Sequence, residues 1–208
     1  GARIQIHKRV SQVQIFSRRL TDVTNSLPDI VMLASSRIRA NEVLLEGEVV
    51  AVGAGEKPLP FQDLMRRFRR VHEISQVARE IPLRLYLFDL LYLNGKSLVD
   101  TPYDERWRLL SEICDESLLA KRIVTGEISV AEDFLKEALK AGHEGVMAKS
   151  LKSNYTPGVR GKKWFKIKPA DHMDLSIIAA DWGYGRRTGW LSNYHLAARD
   201  ETTGEFLM

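Results

Sequence analysis

Little in this sequence invites covalent cross-linking or membrane insertion. Cys114 is the one cysteine among 208 residues, so no intrachain disulfide and no thiolate metal cluster can be built. No apolar run reaches the roughly 18 residues that a spanning helix needs. No secretory signal pattern opens the chain. His7, His72, His143, His172 and His195 show no metal-ligand spacing. Heptads, repeats and low-complexity tracts are absent too. Neither sign of charge dominates: 31 Lys and Arg against 27 Asp and Glu leave +4. That bias is compatible with a polyanionic partner without requiring one. These absences exclude a disulfide scaffold and a helical membrane protein, and set the expectation of a cytoplasmic globular protein.

What is present supports a packed fold. With 44% hydrophobic and 28% charged residues, the chain can fill one core and part of a second. Residues 3–9 and 12–18 alternate polar and apolar and pair as a hairpin. Pro28 opens a helix to about Arg39. Residues 43–53 form an apolar strand that carries Glu46 and Glu48, followed by a loop at Gly53, Gly55 and Pro58. Helix runs from Phe61 to about Arg70 and again to Glu80. A long buried strand covers 83–93, and Asn94-Gly95 is a turn. Helices fall near 104–113 and 130–141, the second stopped by Gly142, with a short strand around 122–125. Strands at 145–149 and 162–168 close this part. After Pro169 only strand patterns remain, at 174–184 and 190–199. A domain boundary is expected near 170–173, giving domains 1–170 and 171–208. Both ends run into strand-like patterns and read as cuts through structure, so a fragment is expected.

The candidate chemistry is spread along the chain. In Lys162-Lys163-Trp164-Phe165-Lys166-Ile167-Lys168, residues two apart share a strand face. Lys162, Trp164, Lys166 and Lys168 therefore line one side, with successive ammonium groups roughly 6.5–7 Å apart. Such charges repel unless an anion such as phosphate sits between them. A lysine-guarded strand edge accounts for the same letters. Glu144 opens a strand of otherwise buried character, where a lone carboxylate is costly. A nucleotide-bound divalent metal would satisfy it, and so would loop hydrogen bonds. Glu46 and Glu48 share one strand face and need a ribose, an arginine or a metal. Phe88 is either core or a stacking platform for a base. Ser17-Arg18-Arg19 is either a phosphate clamp or a surface pair. Arg66, Arg67, Arg69 and Arg70 are either a solvated face or a contact to nucleic-acid backbone.

Taken in order, these segments stop being ambiguous. Arg3 after Gly1-Ala2, Ser17-Arg18, Glu46-Gly47-Glu48, Phe88-Asp89-Leu90-Leu91-Tyr92, Glu144-Gly145-Val146-Met147-Ala148-Lys149 and Lys166-Ile167-Lys168 follow one another as motifs do in covalent nucleotidyltransferases. The chain most resembles the ATP-dependent DNA ligases of archaea and their bacterial relatives. The resemblance extends to Pro60-Phe61-Gln62, Arg67-Phe68-Arg69-Arg70, Gly161-Lys162-Lys163-Trp164 and Trp182-Gly183-Tyr184-Gly185-Arg186-Arg187, and so covers essentially the whole chain.

The resemblance implies an α+β fold, with two antiparallel sheets flanked by helices around a nucleotide cleft. This nucleotidyltransferase domain is followed by the start of an OB-fold β-barrel. It implies ATP as AMP donor, Mg²⁺ or another divalent cation, and nicked duplex DNA as partner. The full-length enzyme is expected to be a monomer that works in DNA repair, replication and recombination, with a sliding clamp as further partner. Arg3 is expected to contact the nucleotide or nick phosphate, and Arg18 to hold the nick 5′-phosphate. Glu48 should bind ribose or help hold metal, Phe88 stack on adenine, Glu144 bind the catalytic metal, and Lys166 and Lys168 contact the α-phosphate. The family's first motif, Lys-x-Asp-Gly-x-Arg, starts here at its glycine. The nucleophilic lysine would then precede Gly1, and the fragment is expected not to adenylate itself. An RNA ligase, a GTP-using capping enzyme and a non-catalytic nucleic-acid-binding module are the rival readings.

Overall fold

The computed structural model describes residues 1–68, 74–158, 163–170, 174–200 and 202–207, with backbone alone at 74, 75 and 207. It forms two compact units, Gly1–Lys168 and Pro169–Met208. Among the described residues no helix is long and apolar enough to cross a membrane.

The first unit is built on a five-stranded sheet of order β2-β1-β3-β4-β5 among the described residues. β1 (Ala2–Arg9) and β2 (Gln12–Ser17) form the expected hairpin. β3 (Glu42–Ala51) pairs antiparallel with β1 on one side and β4 (Leu83–Leu93) on the other. Asn94 and Gly95 both take positive φ, 42° and 93°, which suits a tight turn whose twist matches its strands. That turn leads into β5 (Lys96–Ser97). Alternation decides the faces: Ile4 and Ile6, Val43, Leu45 and Val49, and Leu85 and Leu87 point into one core. A fully buried Leu or Ile contributes about 1.5–3 kcal/mol, so this layer supplies much of the folding drive.

Helices cover the core face. α1 (Pro28–Arg37) starts on Pro28, where the missing N–H costs nothing. Its C-terminal end is held by Lys8, a buried cation on β1 that donates to the carbonyls of Ile38 at 2.6 Å and Ser35 at 3.4 Å. Cations suit the negative end of a helix. α2 (Phe61–Phe68) and α3 (Ile74–Glu80) follow. Arg67 on α2 is 1% exposed. It donates to Asp29 at 2.6 Å and to the Ile81 carbonyl at 2.9 Å, tying α2 to α1 and to the entry of β4. The nucleic-acid-contact reading of this helix is therefore corrected at Arg67, because a guanidinium spent on internal partners is unavailable to phosphate. Arg66 is exposed and pairs with Asp63. Arg69, Arg70 and His72 lie outside the described residues, as do Gly161, Lys162 and His172.

α4 (Tyr103–Ile113) packs on β4. The strand expected at 122–125 is not formed. Its signal reduces to one parallel bridge between Leu119 and Leu87, after which Arg122 leaves to stack over Trp107. α5 (Ile128–Lys140) precedes an antiparallel ribbon of β6 (Val146–Lys149) and β7 (Trp164–Ile167). β6 is not the buried strand expected, since Met147 is 48% exposed.

The second unit holds β8 (Ser176–Trp182), β9 (Leu191–Arg199) and β10 (Phe206–Leu207) in the order β10-β9-β8. Many of its apolar side chains are exposed, including Ile177, Trp182 and Trp190.

Candidate active site

One face of the main sheet carries charge where the other carries the core. Register places Arg3 opposite Glu48 and Gln5 opposite Glu46 across β1 and β3, and Glu48 opposite Tyr86 across β3 and β4. The ladder between β3 and β4 slips twice. Glu46 faces Asp89 and Gly47 faces Leu87, which leaves Phe88 as an extra residue. Bulges of this kind re-aim side chains beside functional sites. Phe88 is part exposed, in step with Tyr86, and the next residue, Asp89, is buried.

Glu46, rather than Glu48, is the fully buried carboxylate. Its Oε1 accepts from the Arg3 guanidinium, from Gln5 at 3.1 Å and from the Tyr155 hydroxyl at 2.7 Å. Tyr155 also accepts from Arg3 at 2.9 Å. Burial and the neighbouring Glu46 raise the Tyr155 phenol to about 12, so it stays a donor throughout the physiological range. Among the described residues, Oε2 of Glu46 is buried without a hydrogen-bond partner. Glu48 is 47% exposed and lies 3.7 Å from the Gly1 amino group.

Asp89 and Arg106 form a second buried assembly, both 0% exposed. Arg106 grips both carboxylate oxygens, at 2.7 and 2.9 Å, and donates to the carbonyls of Thr101 and Ser153. Burial pushes the Asp89 carboxyl up, and the bonds from Arg106 oppose that shift. The two-pronged geometry requires the carboxylate form. Asp89 sits in an otherwise apolar run, and that cost was the sequence signal for a buried cation elsewhere.

The phosphate-facing candidates lie on the ribbon. Glu144 accepts from Lys166 at 2.8 Å, with the two side chains 71% and 56% exposed. Lys166 first, with Lys168 adding to it, holds the Glu144 carboxyl below its ordinary range. Gly145 makes this approach close: a Cβ there would lie 2.2 Å from the Ile167 carbonyl. Arg18 is exposed, one residue past the Ile4–Ser17 pair, at the end of the sheet that carries Arg3.

Phe88 meets the ribbon through Trp164, edge to face at 6.4 Å, and through Lys149, whose Nζ is 4.3 Å from the Phe88 ring centre. The structure therefore brings together Arg3, Glu46 and Tyr155, then Glu144, Lys166 and Lys168, then Phe88, Trp164 and Lys149. Trp164 was placed on the lysine face by sequence reasoning, but Tyr155, Arg106 and Lys149 were given no role by it. A tyrosine in a loop and a lysine closing a strand carry no distinctive spacing.

No three His, Cys, Asp or Glu residues come together as a metal cluster among the described residues. The donor set still suits Mg²⁺, which binds one or two carboxylates and takes its remaining ligands from phosphate and water. Glu144 and Glu48 are the carboxylates exposed enough to serve.

This sheet-and-ribbon arrangement has the shape of a ligase nucleotidyltransferase domain. A family model described as "ATP dependent DNA ligase domain" matches residues 1–168, and the chain belongs to that family. Over 206 residues it is 50% identical to a DNA ligase of Methanothrix thermoacetophila, covering 99% of this chain and 37% of that protein. It is 51% identical to a DNA ligase of Thermococcus fumicolans, covering all of this chain and 38% of that one. The chain thus spans little more than a third of the curated relatives it matches. Among solved structures it resembles the ligase domain of LigD from M. tuberculosis, with TM-score 0.61 and 28% identity over 81% of this chain and 52% of that one. It also resembles a mycobacterial DNA ligase D complexed with ATP and MES, with TM-score 0.65 and 25% identity over 99% of this chain and 62% of that one.

Proposed function

We propose that this chain supplies the nucleotide pocket of an ATP-dependent DNA ligase that seals nicks between a 3′-hydroxyl and a 5′-phosphate. The observation that carries the reading is the Glu144–Lys166 pair beside Lys168, on the ribbon that also brings Trp164 to Phe88. A carboxylate and two cations left open to solvent suit an incoming phosphate better than they suit a core.

The reaction is three displacements at phosphorus. A lysine amine attacks the α-phosphorus of ATP and pyrophosphate leaves. The nick 5′-phosphate then takes AMP from the lysine. Finally the 3′-hydroxyl attacks the activated 5′-phosphate and AMP departs. In each step negative charge builds on non-bridging oxygens, so fixed cations lower the barrier. Lys166 and Lys168 are placed to meet the α-phosphate, Arg3 the nucleotide or nick phosphate, and Arg18 the 5′-phosphate. Glu48 takes the ribose or shares the metal with Glu144, and Phe88 takes adenine. A divalent cation bound by Glu144 would neutralise phosphate charge. The strand-only unit after Pro169 corresponds in this reading to the start of an OB barrel.

The test is labelled ATP with Mg²⁺, followed by denaturing electrophoresis. The 208-residue chain is expected to stay unlabelled, because the position of the nucleophilic lysine precedes Gly1. A chain extended upstream through the family's Lys-x-Asp should carry label, and Lys166→Ala or Lys168→Ala should slow labelling by about 10²–10³-fold. Label on the 208-residue chain refutes the missing-nucleophile reading. GTP outcompeting ATP on the extended chain would point to a capping-type enzyme. Equal binding of nicked and intact duplex would favour the non-catalytic module.

A further inference from the structure

Lys149 is a half-buried cation to which the reaction above gives no task. It closes β6, and its ammonium lies among three rings: 4.0 Å from the centre of Trp164, 4.3 Å from Phe88 and 4.7 Å from Tyr103. Among the described residues it makes no ion pair within salt-bridge distance. Its polar contacts are long ones, to the Phe88 carbonyl at 3.4 Å and the Tyr103 hydroxyl at 3.3 Å. Tyr103 in turn donates to the same Phe88 carbonyl at 3.2 Å. Asp89, Glu46, Arg106 and Arg122 surround the site, and burial pushes the lysine down to about 7. An apolar residue of the same length would fill this space without that cost.

We propose that Lys149 is a positioning residue for nucleotide specificity: it grips Phe88 by ring face and carbonyl, and so fixes the ring on which adenine stacks. The proposal rests on Phe88 being the adenine platform. Phe88 needs such a grip because it is the unmatched residue of a bulge, where the ladder does not fix its orientation. The cage joins strands that pair in different sheets, with Phe88 from β4 and Lys149 and Trp164 from the ribbon. A cation on one ring face also draws π density from the other, which favours stacking of an electron-rich purine there. Lys149 touches Phe88 at its ring and carbonyl, so its influence passes through Phe88.

The test titrates ATP into the 208-residue chain by NMR, which reads weak affinities, with thermal unfolding measured alongside. Phe88→Ala is expected to weaken ATP binding about tenfold, in the range for loss of one aromatic stacking partner. Lys149→Met should weaken it about fivefold without lowering the unfolding midpoint, and Lys149→Arg, which keeps the cation, should recover most of the loss. The double variant Phe88→Ala/Lys149→Met should bind no worse than Phe88→Ala. If the wild-type chain shows no saturable binding, or Phe88→Ala binds like wild type, the platform reading fails and the inference with it. If Phe88→Ala weakens binding while Lys149→Met does not, the inference alone fails. Additive losses in the double variant would also overturn it, since Lys149 would then act independently of Phe88. Should Lys149→Met unfold, Lys149→Gln, which also removes the cation, alone and combined with Phe88→Ala, supplies the same comparison.

Discussion

Two ion pairs in the same unit differ in almost every respect but charge. Asp89 and Arg106 are sealed in the main sheet, with both oxygens and the spare donors of the arginine satisfied. Glu144 and Lys166 sit on the ribbon, each more than half exposed and joined by a single bond. A sealed pair cannot change partners without large cost, so it holds structure. An open pair can part for a ligand at little cost, so it is free to meet phosphate. The fold uses the first to fix β4, α4 and the loop at Ser153, and the second, in the function proposed above, would keep charge ready for phosphate.

The comparison can be broken in order of effect. Arg106→Ala should destabilise the chain by about 3–5 kcal/mol in urea unfolding, because it strands a buried carboxylate. A loss below about 1 kcal/mol would show the pair is less sealed than described. Lys166→Ala in the upstream-extended chain should slow adenylation by about 10²–10³-fold, the cost of removing one charge-stabilising donor. Wild-type rates there would remove Lys166 from the pocket. The same substitution should shift stability by no more than about 0.5 kcal/mol, as for exposed pairs generally. A larger shift would mean the open pair is structural after all.

A fourth prediction concerns pH. Burial depresses the Lys149 amine from 10.5 in the unfolded chain to about 7 in the folded one. Below 7 both states are protonated and folding bears the full cost of the buried ammonium. As pH rises from 7 to 10.5 the folded chain sheds the proton first, so this cost is relieved. The unfolding midpoint of wild type should therefore gain on that of Lys149→Met across this window. Parallel curves would show that the amine is not depressed by its cage.

Legibility followed distance along the chain. The β1–β2 hairpin, the limits of β4 and the Asn94-Gly95 turn were readable because alternation and turn chemistry act over a few residues. Arg18, Glu48, Glu144, Lys166 and Lys168 were readable as a series only because their order is that of a family. Alone, each also had a plain structural reading: a strand edge for the lysines, a loop hydrogen bond for Glu144, a surface pair for Arg18. Arg67 was misjudged within a run of arginines, since helical spacing does not say which one meets Asp29 and Ile81.

The sequence by itself determined most of the strands and helices, and the family to which the chain belongs. Tertiary structure decided which of two adjacent glutamates is buried, where the β4 ladder slips to free Phe88, and that Lys149 ends among three rings. Periodicity fixes the face a side chain takes within its own strand. What it meets there is set by segments a hundred residues away, as when Tyr155 closes over Glu46.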